Sequence, residues 1–192
     1  MKGTIYNIIV MTCVIVFLLI VGVNTVDAQH QIGIGYQGIF PGGTSGISAR
    51  GWLRDKWGWD LTLFHMTATA KLDGVEADAN TFVLDARVMY AIFLRKNSKF
   101  YIGGEFGYGN LDMEIDIEDI GVSLEGNIFI INPMIGSEFF FTEIPELGFN
   151  WEVGYKIVST DIKTNIADVE EADVDLDIKG FDILIGVHYY FR

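Results

Sequence analysis

The last fourteen residues of the chain, KGFDILIGVHYYFR (Lys179–Arg192), decide its fold. Every odd position from Phe181 to Phe191 carries a bulky apolar side chain, whereas the even positions include Asp182 and His188. Successive side chains of a β-strand point to opposite faces, so this pattern predicts a strand with one wholly apolar face and one polar face. The two faces must therefore meet different surroundings.

The same alternation recurs along most of the chain, at about 31–40, 46–54, 57–72, 77–94, 99–118, 122–141, 147–166 and 173–191. The connections between these segments are alternately short and long, and three of the long ones are mostly acidic. This arrangement predicts an up-and-down antiparallel sheet with tight turns at one end and tall loops at the other. No repeat, linker or second domain interrupts it, so residues 29–192 are expected to form one all-β domain.

The first 28 residues have the features of a secretory signal peptide. Lys2 precedes an apolar run over residues 8–23, and Val26–Ala28 offers small residues at a cleavage site, so we expect cleavage after Ala28. The run is shorter than the about 20 residues that a transmembrane helix needs. The single cysteine, Cys13, lies within it, and a mature chain without cysteine is compatible with export to an oxidising compartment.

The overall composition excludes two classes of protein. Half of the 192 residues are hydrophobic, which is too apolar for an intrinsically disordered chain. The formal net charge of −13 would repel a polyanion, so nucleic acid is excluded as a partner.

Two kinds of closed sheet share this alternation, and they differ in which face is inside. A soluble barrel hides its apolar face, whereas a membrane barrel shows that face to lipid. The apolar rows favour lipid, because they stay uncharged over strands long enough for a tilted span of about 9–11 residues. The opposite rows combine glycine with charges of both signs, which suits a narrow lumen crowded with large side chains. The sequence therefore predicts a transmembrane barrel.

The charged residues of the inward rows form the first candidate site. An eight-stranded barrel encloses just enough room for side chains, so a filled lumen is its default state. Buried charges are costly unless they pair, and these residues can satisfy one another. We predict an internal ion-pair network of Arg50, Asp60, Asp85, Arg87, Glu105, Glu138, Glu152, Lys156 and Asp182. A narrow ion gate built on the same pairs is the functional alternative.

Glycine and aromatic residues recur together in FYIGGEFGYG (100–109), INPMIGSEFFF (131–141), LGFNWEVGYKI (147–157) and ILIGVHYYF (183–191). With these motifs the mature chain resembles the small eight-stranded outer-membrane β-barrels of Gram-negative bacteria, the family of outer membrane proteins A, X and W. The resemblance implies a monomeric, antiparallel, up-and-down barrel among outer-membrane lipids and lipopolysaccharide, inserted by the outer-membrane assembly machinery. That machinery usually reads a terminal aromatic residue, whereas here Arg192 follows Phe191.

The alternation continues beyond the membrane-spanning part, but its sign inverts. After Tyr108 the outward row turns acidic and the inward row turns apolar. The simplest cause is that water replaces lipid outside, so the strands protrude from the cell and Tyr108, Tyr155 and Phe181 mark the membrane surface. The resulting inward set, a candidate apolar pocket, consists of Leu72, Leu111, Met113, Ile115, Ile117, Leu124, Ile128, Ile162, Leu176 and Ile178.

This apolar set fits two functions. It can be a close-packed plug that stiffens a structural or adhesive surface protein, and its bulky Leu, Ile and Met side chains favour that interpretation. Alternatively it lines a pocket that takes up small hydrophobic molecules and passes them sideways to the membrane, as the resemblance to the outer membrane protein W branch implies. The acidic outward rows are either solvated faces or sites screened by divalent cations.

An enzymatic function finds little support in the sequence. Some related barrels modify acyl chains of lipid A with a histidine, a serine and a carboxylate. His188 has no serine nearby in the sequence, and Ser137 falls on the lipid row. His65 points to lipid, and His30 lies at the mature N-terminus, so no base meets a nucleophile. His and Cys do not cluster and residues 173–180 depart from a calcium loop, so no metal or cofactor is expected.

Overall fold

The structure is a computed structural model that describes residues 31–40, 44–72, 75–117, 120–166 and 172–191. The predicted signal peptide, residues 1–28, lies outside these ranges. Eight strands pair in sequence order into a closed antiparallel barrel: β1 (Gln31–Phe40), β2 (Ser45–Leu53), β3 (Trp57–Leu72), β4 (Val75–Arg95), β5 (Ser98–Ile117), β6 (Ile120–Phe140), β7 (Leu147–Ile166) and β8 (Ala172–Phe191). The ends of the eight predicted segments differ from these bounds by no more than two residues.

In the described ranges, no helix is long and apolar enough to cross a membrane.

The short connections lie together at one end of the barrel, which we name the short-turn end. Arg54 and Asp55 link β2 to β3 with φ angles of 50° and 60°, and the amide of Lys56 donates to the carbonyl of Leu53 at 3.2 Å. Positive φ at both central residues is typical of the type I′ turn, whose twist matches that of the flanking strands. At the opposite end the predicted acidic loops are largely strand, because β3 to β8 continue into them.

The barrel wall is not of even height. β1 and β2 have 10 and 9 residues, whereas β4 and β6 have 21 each. The pairing of β1 with β8 ends at Phe40↔Ile183, and that of β2 with β3 ends at Gly46↔Phe64. Beyond these pairs, His65–Leu72 of β3 and Ala172–Asp182 of β8 have no strand neighbour on this side within the described residues. We name this opening the side gap.

The lumen contains three layers of side chains. At the short-turn end an apolar floor consists of Trp52, Met89, Ala91, Tyr101, Met134 and Tyr190, all at most 5% exposed. A charged layer lies above the floor. An apolar ceiling of Phe64, Val83, Ile130 and Leu184 covers that layer, and Ile39, Ile128 and Val158 pack against it. Along β4 the order is Met89 in the floor, Arg87 and Asp85 in the charged layer, and Val83 in the ceiling.

Inward glycines make room for the polar side chains of the charged layer. A Cβ atom on Gly35 would lie 2.2 Å from the carbonyl oxygen of Val187 and 2.4 Å from a ring carbon of His188. A Cβ on Gly107 would lie 2.2 Å from the carboxylate of Asp85. Real Cβ atoms do not approach other atoms this closely, so the lumen is as crowded as the sequence predicts.

A band of exposed apolar side chains surrounds the barrel on its outside. In β8 it comprises Phe181, Ile183, Ile185, Val187, Tyr189 and Phe191, each at least 42% exposed. At the predicted membrane surface the rings of Tyr155 and Phe181 pack edge to face, with centroids 5.3 Å apart. Soluble proteins rarely expose a continuous apolar surface of this extent, whereas a transmembrane barrel requires one.

Substitution of two glycines tests the crowding of the lumen. We expect Gly35→Ala to lower the free energy of unfolding by about 1–3 kcal/mol, because the new methyl group would displace backbone and the ring of His188. Gly104→Ala is the matched control, since a Cβ there has no atom within 4 Å. It should change the free energy by no more than about 0.5–1 kcal/mol. Urea unfolding of the barrel in lipid vesicles measures both, and equal effects would contradict the crowding.

Candidate functional site

Two arginines form the centre of the charged layer, and one carboxylate joins them. The Nε of Arg50 lies 2.7 Å from one oxygen of Asp60, and the Nη1 of Arg87 lies 3.1 Å from the other. Arg50 also pairs with Glu152, and Arg87 pairs with Glu105 at 3.2 Å. All five residues are at most 2% exposed, so these charges compensate one another in a water-poor interior.

The remaining predicted charges have different surroundings. Lys156 bridges Glu105 at 3.2 Å and Asp182 at 3.1 Å, and Asp85 lies 3.4 Å from Arg87. Glu138 departs from the predicted network. Its carboxylate lies at the level of the aromatic floor, where it accepts hydrogen bonds from the indole of Trp52, at 2.5 Å, and from the hydroxyl of Tyr190. In the described part of the chain Glu138 forms no ion pair.

Neutral side chains supply further donors, because six carboxylates of the predicted set face only three cations. Gln37 donates to Asp60 at 2.6 Å, and Tyr101 donates to Glu152 at 2.8 Å. Asn132 reaches both Glu105, at 3.2 Å, and Asp182, at 3.1 Å. These three residues are uncharged, so a network predicted from charges alone does not include them. All of them lie on the inward rows, so the alternation could have found them.

A serine and a histidine are in contact inside the barrel, contrary to the prediction that His188 has no serine partner. The Oγ of Ser48 lies 2.6 Å from the Nε2 of His188, and the two residues are 2% and 0% exposed. Gly35 pairs with Ser48 on one side and with His188 on the other. The three inward positions form one row across the closing strands, and glycine in the middle lets the outer two touch. A serine 140 residues away in sequence is near only through this register.

The predicted apolar pocket lies above the ceiling, but its members do not form a packed core. Of its side chains, Leu111, Met113, Ile115, Leu124, Ile128 and Ile162 are half-buried. Leu176 and Ile178 are 45% and 55% exposed. The side chains of Leu72 and Ile117 lie outside the described residues. We name this arrangement the apolar cup. The side gap explains why it is open, because no described residue completes the wall between β3 and β8 at this height.

The outward face around the cup is acidic. Asp78, Asp112 and Glu114 lie exposed on neighbouring strands, and the hydroxyl of Thr69 donates to Asp78 at 2.6 Å. Within the described ranges no group of three His, Cys, Asp or Glu side chains is arranged to hold a metal ion.

A comparison with protein families identifies the fold. A family model described as the outer membrane protein beta-barrel domain matches residues 19–191. The chain belongs to this family. The protein is located in the cell outer membrane, which agrees with the exposed apolar band. A comparison with curated protein sequences finds no match.

Solved structures of similar shape include an outer membrane protein. A major outer membrane protein from Thermus thermophilus is 10% identical with a TM-score of 0.60, over 85% of this chain and all of that one. The attachment invasion locus protein Ail of Yersinia pestis is 15% identical, with a TM-score of 0.47, over 84% of this chain and 97% of that one. Neisserial surface protein A is 11% identical, with a TM-score of 0.47, over 84% of this chain and 94% of that one. At these identities the likeness concerns the fold alone, and of these three scores only the first exceeds 0.5.

Removal of one arginine tests the charged layer. We expect Arg87→Met to lower the free energy of unfolding by about 3–5 kcal/mol, because four carboxylates lose their shared cation in a buried site. Lys163→Met, on the exposed face of β7, removes the same charge from a solvated position and should change it by less than about 0.5 kcal/mol.

Denaturant unfolding in vesicles, followed by tryptophan fluorescence, gives both values. If Arg87→Met costs no more than the control, the ion pairs do not hold the barrel together. Adding Glu105→Gln to Arg87→Met should restore part of the loss, since it removes one of the uncompensated charges.

Proposed function

We propose that this protein is a non-conducting outer-membrane barrel that holds a tall extension of strands at the cell surface. The observation that carries this proposal is the layered lumen, in which the charged layer lies between an apolar floor and an apolar ceiling. A lumen filled in this way acts as a rigid stalk, and the extension is the part that meets the outside.

The layers argue against a gate built on the ion pairs. An ion crossing the barrel would have to pass Trp52 in the floor and Phe64 in the ceiling, which are 1% and 2% exposed. Rearranging Arg50 and Arg87 would open the middle layer only. Both apolar layers would also have to move, at the expense of close packing in each.

The contact of Ser48 with His188 does not favour modification of lipid A. The ceiling covers both side chains, so an acyl chain has no path to the serine. With the amide of Asn150 in the orientation that satisfies both of its ends, its nitrogen donates to the Nδ1 of His188 at 3.2 Å. The Nε2 atom then carries the proton and donates to Ser48, which is the reverse of what a general base requires.

Planar-bilayer recordings test the non-conducting stalk. We expect the wild-type barrel to give no discrete conductance steps, because the three layers leave no continuous water path. A porin reconstituted in the same way supplies the positive control. If the wild type gives reproducible conductance steps and their size changes in Arg87→Glu, the non-conducting stalk is wrong and the ion gate is supported.

The apolar cup favours a second function, the binding of small hydrophobic molecules. The exposed Leu176 and Ile178 stand at the side gap, and the half-buried Met113 and Ile115 lie opposite on β5. When these apolar side chains cover an apolar ligand, apolar surface is removed from water, and this burial favours binding. The gap begins near Phe181, at the predicted membrane surface, so a bound molecule would lie beside the lipid.

A fluorescent apolar probe tests the cup. We expect saturable binding to the folded wild type and binding at least about tenfold weaker in Ile115→Asp, because a charge in the cup costs about 1–3 kcal/mol of probe binding. Thr67→Asp is the matched control: it adds the same charge on the outward face of β3 and should leave binding unchanged. No saturable binding to the folded wild type would exclude the cup as a ligand site.

A further inference from the structure

The short-turn end carries a cleft that neither of these functions uses. It has a volume of about 440 Å³ and lies where three connections meet: the β2–β3 turn at Asp55, residues 95–98 between β4 and β5, and residues 141–145 after β6. It faces away from the apolar cup and lies below the floor of the lumen. A ligand here would therefore be bound independently of the cup.

The cleft is held in shape by contacts between its walls. The amide of Phe140 donates to the carbonyl of Asn97 at 2.8 Å, and the side chain of Asn97 donates to the hydroxyl of Thr142 at 3.0 Å. On the opposite side Lys99 pairs with Asp55 at 3.0 Å, and its ammonium group lies 4.7 Å from the ring centroid of Trp52. These contacts fix the three connections relative to one another before any ligand arrives.

The charge of the cleft is opposite to that of the rest of the protein. Three cations, Arg95, Lys96 and Lys99, line it together with one carboxylate, Asp55. Lys99 is 7% exposed and already paired, whereas Arg95 and Lys96 are exposed. In a chain with a formal charge of −13, a site with an excess of two positive charges selects an anion.

The apolar part of the cleft indicates what kind of anion fits. Leu94 and Phe141 line the cleft, and each is 44% exposed. Phe93 and Ile144, close by in sequence, are 66% and 51% exposed, so the lipid-facing band reaches the edge of the cleft. Cations beside exposed apolar side chains at a membrane edge match a molecule whose anionic group and acyl chains lie at the same level.

We propose that this cleft binds the phosphate group of an anionic phospholipid in the leaflet on the short-turn side. Arg95 and Lys96 pair with the phosphate, while Leu94 and Phe141 contact the beginning of the acyl chains. Lys99 and Asp55 position the walls, and their mutual ion pair leaves the two exposed cations for the ligand. A free phosphate shares the charge but not the apolar contacts, so the lipid should bind more tightly.

Short-chain lipids added to the folded full-length mature barrel in zwitterionic micelles test this site. Native mass spectrometry or calorimetric titration measures the affinity for dihexanoyl phosphatidylglycerol, dihexanoyl phosphatidylcholine and inorganic phosphate. We expect phosphatidylglycerol to bind at least about tenfold more tightly than phosphatidylcholine or inorganic phosphate. Equal affinities for the two lipids would overturn the site, and inorganic phosphate binding as tightly as phosphatidylglycerol would overturn the assignment to lipid.

A pair of double variants separates the cleft from general electrostatics. Arg95→Gln with Lys96→Gln should remove the preference for phosphatidylglycerol. Lys163→Gln with Lys179→Gln removes the same number of charges from exposed positions on β7 and β8, beyond the membrane surface, and should preserve that preference. All four side chains are exposed, so both proteins are expected to fold. A loss of equal size in the two variants would overturn the proposal, because the preference would then follow net charge.

Discussion

Asp60 joins the two arginines of the lumen, and most of the lower barrel follows from that one shared carboxylate. Eight strands enclose too little space for a water channel, so the guanidinium groups must find their partners among side chains. Each oxygen of Asp60 is used by a different arginine. Gln37 brings a further donor to the same carboxylate. Such a network is stable only when nearly complete, and it therefore restricts every inward position around it.

The neighbouring layers are consequences of this requirement. Charges attract most strongly where water is excluded, and the floor and the ceiling exclude it from both ends. Glycines opposite the largest polar groups keep the ring of strands narrow without a clash. Beyond Lys156 and Asp182 the requirement disappears, because no further enclosed charge lies there within the described residues. The wall can then lose two of its eight strands, and the apolar cup opens where the lower barrel is closed.

The alternation in the sequence was sufficient to predict the strands, their antiparallel order and the side of the sheet on which each residue lies. Arg50, Arg87 and their acidic partners all lie on one face of the strands, and they could be assigned to the interior because the opposite face stays uncharged over a length that suits lipid. The alternation does not determine the register between neighbouring strands, however. The contact of Ser48 with His188 and the aromatic partners of Glu138 depend on which residues of neighbouring strands stand side by side. The alternation also did not predict that the cup is open, because it does not reveal that β1 and β2 are too short to complete the wall formed by the described strands.

The low wall formed by β1 and β2 has a consequence for how the barrel closes. The pairing of β1 with β8 joins the first and the last strand of the barrel, so it encloses the longest loop and comes last in a folding order set by chain entropy. The same ladder is among the shortest in the molecule, since it is limited by the 10 residues of β1. Force applied to the terminal strands would therefore separate β1 from β8 first, because few residue pairs hold this ladder, while the long ladder between β4 and β5 stayed intact.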